Sequence, residues 1–183
     1  VGLHGLSEML VAAFLQLIEA GVVKREVDEV LVNAGFFLGP KAFYRTLREM
    51  PEEQREKIRM TAISFTNQLY GDEDAKRRAR VDARFINSTM MVTLLGAAVS
   101  DALEDGRVVS GVGGQYDFFA QAFALPGARA ILTLNAVRGK GARATSNIRW
   151  SYGHETIPRH LRDIVVSEYG VADLRGRSDA EVI

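Results

Sequence analysis

The chain contains no cysteine, which excludes disulfide staples, a thiolate nucleophile and thiolate metal ligands together. It also lacks net charge: 23 Lys and Arg balance 23 Asp and Glu, so no global field argues for nucleic acid or an anionic membrane as partner. No apolar run approaches the roughly 18 residues needed to span a bilayer, and no basic stretch followed by an apolar core opens the chain. A cytoplasmic protein is the expectation. Histidine is scarce, and His154 and His160 lie six apart, a spacing that fits neither one helical face nor a zinc pair, so no metal is expected. What is present is ordinary for a globular chain: 183 residues, 47% hydrophobic and 25% charged, enough for one domain with a real core. The chain opens at Val1-Gly2-Leu3-His4 without an initiator Met and stops inside a helical pattern at Glu181-Val182-Ile183. Both ends read as cut, which points to part of a longer protein.

The stretch Ser110-Gly111-Val112-Gly113-Gly114-Gln115-Tyr116-Asp117-Phe118 places three glycines in four positions between an apolar run and a helical pattern. Glycine reaches backbone angles closed to other residues and lets another group approach the main chain. Such a turn is either a plain strand-to-helix connection or a set of amides aimed at negative charge from a helix start. It is not the dinucleotide Gly-x-Gly-x-x-Gly pattern, nor a Gly-Lys-Ser/Thr phosphate loop.

Along the chain, Val1 to His4 reads as the end of a strand. Ser7 offers an N-cap for a helix with Met9, Leu10, Phe14, Leu17 and Ile18 on one face, closed by Gly21. Glu8 then falls in the first helical turn, where the helix dipole favours a carboxylate. Val30-Leu31-Val32 is a short strand running into Gly35-Phe36-Phe37-Leu38-Gly39, and Pro40 fits the first turn of a helix through Leu47. Residues 48–59 read as a solvated helix face. Asp72-Glu73-Asp74 followed by Lys76, Arg77, Arg78 and Arg80 reads as a surface helix with its acids first. Phe85-Ile86-Asn87 and Met90 to Leu95 read as buried strand, Asp105-Gly106 as a turn, and Ala130 to Leu134 and Ile164 to Val166 as strands. Short strands separated by helical patterns argue an α/β fold, an open mixed β-sheet covered by helices. From Arg138 to Arg177 eight Lys or Arg face four acids, either a phosphate-binding bias or a scattered solvated set. Trp150 and Tyr152 are read as packing residues.

Several of these segments, in order, resemble one family. Ser110 to Phe118, Ile131 to Leu134, and Ile164-Val165-Val166-Ser167-Glu168-Tyr169-Gly170-Val171-Ala172-Asp173-Leu174-Arg175-Gly176 resemble the C-terminal domain of the acetyl-CoA hydrolase/transferase family, whose members include 4-hydroxybutyrate and acetate CoA-transferases. The resemblance extends back through Ile86-Asn87-Ser88 to Glu19-Ala20-Gly21-Val22-Val23 and His4, and counting back from that ending sets Glu8 at the family's nucleophilic glutamate. This sequence departs from the family at Gly5-Leu6, which look inserted, at Met90, Met91 and Thr93, and in an expanded charged region from about Arg48 to Arg80.

The resemblance implies a CoA-transferase-like (NagB/RpiA/CoA-transferase-like) domain over residues 1–183, with its N-terminal partner domain before Val1. It implies an acyl-CoA transferase or hydrolase working through a glutamyl anhydride and a glutamyl-CoA thioester on Glu8. Coenzyme A enters as the acyl-CoA substrate, a small carboxylic acid as acceptor, and no metal; a homo-oligomer is expected, with no nucleic acid and no membrane. Val112, Gly113, Gly114, Gln115 and Asn87 would supply oxyanion or CoA contacts, and Lys140 and Arg143 would meet the CoA phosphates. A fragment without its partner domain is expected to be inactive. Two other readings stand beside this one: a CoA- or acyl-CoA-binding module that lost turnover, and an enzyme of another kind on a related sheet, such as a sugar-phosphate isomerase.

Overall fold

The computed structural model describes residues 2–183 and divides into two compact units, residues 1–79 and 80–183. Val1, placed at a strand end from the sequence, lies outside the described residues; Leu3 forms an isolated bridge with Val23.

In the first unit, β1 (Gly5–Leu10) is followed by α1 (Ala12–Glu19), β2 (Val32–Phe37), α2 (Lys41–Glu49), α3 (Glu52–Glu56), β3 (Ile58–Met60), α4 (Ile63–Asn67) and α5 (Glu73–Ala79). The three strands form a parallel sheet in the order β1-β2-β3. Leu10, Val23, Val32, Ala34 and Phe43 form its core, with Phe14, Leu15 and Ile18 of α1 and Leu47 of α2 packed against them. The helix read from Ser7 therefore begins later. Residues 5–10 are strand, Val11 is the N-cap without a side-chain bond, and Ser7 Oγ donates to Met9 O at 2.7 Å. Parallel pairing with β2, from Gly5↔Val32 to Leu10↔Phe37, overrides the local Ser-Glu helix-start signal. Gly21 does follow the helix in the left-handed region, at φ +68°.

β2 begins at Val32 and continues through Gly35-Phe36-Phe37, the stretch into which the Val30-Leu31-Val32 strand was read as running. At Gly35 α4 lies against the sheet: a Cβ would come within 2.2 Å of Ile63 Cδ1, a side-chain tip that can move aside, and 3.1 Å of the Glu8 carbonyl oxygen, a tight approach to backbone. The charge run before Arg80 is not all surface. Lys76 is buried, and its Nζ donates to the carbonyls of Gln68 (2.9 Å) and Tyr70 (2.6 Å), with Ser64 O at 3.4 Å. A buried ammonium persists when carbonyls take its protons.

In the second unit come β4 (Arg84–Ser88), β5 (Met91–Thr93), β6 (Ala98–Val99), α6 (Gln115–Ala124), β7 (Arg129–Thr133), β8 (Val137–Arg138), β9 (Thr145–Ser146), β10 (Ile148–Arg149), β11 (Ile164–Ser167), β12 (Gly170–Asp173) and α7 (Asp179–Val182). The largest sheet is mixed, in the order β12-β11-β7-β4, antiparallel between β11 and β12 and parallel elsewhere. Two smaller sheets, β10-β5-β6 and β8-β9, complete the unit, and α6 crosses from β4 to β7 and packs on both. The α/β class and the mixed sheet are as the sequence indicated. Met91 and Thr93 are buried in the small sheet and act as core. Arg80, read as surface, is buried with Nη1 on Gln121 Oε1 at 2.5 Å, and burial pushes its pKa down to about 10. Trp150, read as packing, is 75% exposed, whereas the Tyr152 hydroxyl accepts from Glu104 N at 2.9 Å.

Asp163, just before β11, has a side chain closed to solvent and accepts three bonds: from Arg129 Nε (2.7 Å), from Ala130 N (2.7 Å) and from Arg175 Nη2 (2.5 Å). Arg129 also reaches Asp173 at 2.5 Å. Removing one member of a buried ion pair strands the other charges, which costs about 3–5 kcal/mol. Asp163→Ala is therefore expected to lower stability by about 3 kcal/mol or more, read from the denaturant midpoint, against under 1 kcal/mol for Asp105→Ala in the exposed Asp105–Arg107 pair.

Candidate active site

Glu8 is half-buried in β1, not at a helix start. The register pairs Ser7 with Ala34 and Met9 with Phe36, which sets Glu8 beside Gly35, and strand alternation turns both away from the face of Ala34. Helix α4 covers the strands there, and Asn67 at its end donates from Nδ2 to Glu8 Oε2 at 2.8 Å. Asn67 is 3% exposed and Thr66 is fully buried, with Thr66 Oγ1 2.8 Å from Asn67 Oδ1 and 2.9 Å from Ile63 O. The Thr66 hydroxyl proton can serve one of those two oxygens at a time. Donation to Asn67 Oδ1 orients the amide so that its NH2 faces the carboxylate. Nearby, Asn33 Nδ2 lies 3.3 Å from His4 Nε2, and His4 Nδ1 lies 3.3 Å from Arg25 O.

In the second unit the glycine stretch ends at α6. Gly113 takes φ +58°, Gly114 is the N-cap at φ −86°, and α6 begins at Gln115. Among the described residues the amides of Val112, Gly113, Gly114 and Gln115 have no acceptor within the chain. Gln115 is 6% exposed; its Nε2 donates to Ser88 O at 2.9 Å, while its Oε1 is buried without a donor. Asn87 sits half-buried in β4, one residue before that Ser88 carbonyl. These residues gather at the carboxyl end of β4, where the parallel strands of α/β sheets present ligands.

The start of the same stretch is fixed by Asp101, whose carbonyl accepts from Val109 N (2.8 Å) and Ser110 N (3.1 Å). The Asp101 carboxylate accepts from the Thr156 hydroxyl and pairs with His154 Nε2 at 3.0 Å, while Thr156 Oγ1 accepts from Ser100 N at 2.8 Å. The Thr156 bond first, and His154 second, hold the Asp101 carboxyl below the usual carboxylate range. Glu168, exposed after β11, is likewise held low, chiefly by the Ala136 amide at 2.7 Å.

Lys140 and Arg143 are exposed on the β8–β9 hairpin, and neither has an acid partner among the described residues. The basic excess of the C-terminal third divides: Arg159, Arg162, Arg175 and Arg177 are paired with Asp179, Asp163 and Glu181, whereas Arg138, Lys140, Arg143 and Arg149 have no acid partner among the described residues. The sequence reading missed Asn67, Thr66, Asp101 and Thr156. Polar residues at positions without helical or alternating period carry no local mark of their long-range partners.

With that geometry in place, the match to known proteins is specific. Residues 39–183 match the family model described as acetyl-CoA hydrolase/transferase C-terminal domain. The chain belongs to this family. It is 28% identical over 186 residues to the 4-hydroxybutyrate coenzyme A transferase of Clostridium kluyveri, covering 97% of this chain and 39% of that protein. It resembles the crystal structure of RipA from Yersinia pestis with a TM-score of 0.76 at 26% identity, over 100% of this chain and 39% of that one. A structure of 4-hydroxybutyrate CoA-transferase from Porphyromonas gingivalis has a TM-score of 0.70 at 22% identity, over 99% of this chain and 40% of that one, and shares the fold. The chain thus spans about two fifths of the length of these relatives. Glu8 precedes the matched range of the family model.

The Asp101 anchor yields a pH test. A depressed carboxyl contributes stability above its unfolded pKa near 4, and loses it as pH falls through the folded value. Thr156→Val removes the largest cause of the depression, so its stability deficit in denaturant melts should be larger at pH 7 than at pH 3. A deficit of the same size at both would show that the bond does not favour the charged form.

Proposed function

We propose that this chain carries the catalytic carboxylate of an acyl-CoA transferase, with Glu8 as nucleophile. The observation that carries the reading is the Glu8 carboxylate held through one oxygen by a buried asparagine, in a chain of the acetyl-CoA hydrolase/transferase family. Asn67 fixes Oε2, and Oε1 has no hydrogen-bond partner among the described residues. A glutamate needs no base partner, since a carboxylate is ionised at neutral pH.

In the reaction, Oε1 attacks the thioester carbonyl carbon, the C–S bond breaks and CoA leaves as thiolate, giving a mixed anhydride. The thiolate then attacks Cδ of Glu8, which expels the first carboxylate and leaves a glutamyl-CoA thioester. A second carboxylate attacks Cδ and expels the thiolate, which attacks the new acyl carbon; a new acyl-CoA departs and Glu8 is restored. Water in place of the second carboxylate gives hydrolysis. When Cδ becomes tetrahedral its oxygen takes negative charge, and Asn67 Nδ2 is the donor already in place for it. The unpaired amides from Val112 to Gln115, together with the buried Gln115 Oε1, support a ligand role for that turn. Its role is to donate amides to oxygens of CoA, and Gln115 ties it to β4 at Ser88, one residue after Asn87.

Glu8→Gln keeps size and removes the nucleophile. In the full-length protein it should lower kcat by several orders of magnitude with little change in CoA affinity, and intact mass after incubation with acyl-CoA should show a CoA adduct on Glu8 that the variant lacks. Asn67→Leu should cost about 10²- to 10³-fold in kcat, the usual loss for one oxyanion donor. An adduct on another residue overturns the assignment of Glu8, and no adduct with any thioester favours a binding module.

The CoA phosphates are assigned to Lys140 and Arg143. CoA binding should weaken with salt, as screening shortens from about 10 Å at 0.1 M to about 3 Å at 1 M, and dephospho-CoA should bind less well than CoA. Replacing Lys140 and Arg143 together by Ala should erase most of that difference in titration calorimetry and leave saturated turnover in place.

A further inference from the structure

The first unit holds a cavity of about 420 Å³ that contains neither Glu8 nor Asn67 among its lining residues. It lies where the parallel sheet runs out: Leu10, Phe37 and Met60 are the last residues of β1, β2 and β3. In parallel α/β sheets the carboxyl ends of the strands are where ligands are presented. The walls are apolar, and they stay partly open, with Phe37 47% and Met60 43% exposed. Leu47 of α2 and Ile58 of β3 complete them. Tyr44 closes one side as a fixed wall, its hydroxyl accepting from Gly39 N at 3.2 Å and its ring set edge-on to Phe37 at 6.0 Å and 66°.

Two guanidiniums also line this apolar space, Arg48 from α2 and Arg55 from α3. Neither has an acid or a hydrogen-bond acceptor among the described residues. No acidic side chain lines the cavity to answer them. An arginine fork matches a carboxylate through paired N–H bonds, and a volume of this size suits a small ligand.

We propose that this cavity binds a monocarboxylate with an unbranched apolar tail, the tail among Leu10, Phe37, Leu47 and Met60 and the head between Arg48 and Arg55. A polyphosphate would gain from the two cations but nothing from the walls, and an alcohol or amine of the same length would gain from the walls alone or meet repulsion. The site is separate from Glu8 and does not rest on its role.

The test uses the full-length protein labelled with [¹³C-methyl]methionine, the Met60 resonance being assigned by its loss in Met60→Leu. Octanoate should shift the Met60 methyl saturably, 1-octanol should do so more weakly, and octylamine should not. Titration calorimetry should show Arg48→Ala/Arg55→Ala weakening octanoate about 10-fold, the sum expected for two partly exposed ion pairs, and bringing it level with 1-octanol. Leu47→Trp, which fills the space, should abolish binding of both. If that variant fails to fold, Met60→Trp at the more exposed wall replaces it. Glu8→Gln should leave the Met60 response to octanoate unchanged, so failure of the catalytic assignment and failure of this site read out separately. No Met60 response to octanoate, equal response to octylamine, or indifference to loss of both arginines overturns the proposal, including the case in which another segment of the protein covers the cavity.

Discussion

The second unit depends on one buried negative charge. Asp163 gathers a side chain and an amide from the start of β7 and a guanidinium from the segment after β12, while its own carbonyl accepts from Leu174 N at 2.7 Å. Three strands of the mixed sheet are thereby set in register at one end by a carboxylate that could not be buried without them. Arg175 extends the arrangement, donating to Ala128 O at 3.0 Å and lying 4.2 Å over the Phe123 ring of α6. With one end of the sheet clamped, the opposite ends of β4 and β7 can carry polar groups whose bonds are less complete, such as Gln115 Oε1.

The first unit solves a different problem. The Glu8 carboxylate is held through one oxygen by a side chain. Gly35 lets α4 approach the sheet, and α4 delivers Asn67, a neutral donor that satisfies one oxygen. An arginine in that place would bind the charge more strongly. The amide keeps the carboxylate oriented without adding a charge beside it.

How much of this the sequence displayed depended on whether the signal was local. Phe14, Leu17 and Ile18 with Gly21 gave α1, and the apolar runs at 130–134 and 164–166 gave β7 and β11, because period and cap are read within one element. β1 was hidden because Ser7-Glu8 imitates a helix start, whereas β2 was read two residues early, at Val30 rather than Val32. Lys76 and Arg80 read as solvent because a run of charges carries no trace of carbonyls or amides brought from elsewhere in the chain. The family was legible through the order of its motifs; Asn67, Thr66 and Asp101 were visible only in the packing.

Lys76 has a practical meaning beyond folding. Of the five lysines in the chain, its amine is buried and donates to carbonyls of α4 and the segment after it, whereas Lys140 stands in solvent. A nitrogen whose protons are so engaged presents no lone pair to an acylating reagent. The first unit therefore carries a built-in reporter: covalent label on Lys76 would record how often the α4–α5 region opens, on the timescale of the reagent, without any change to the sequence.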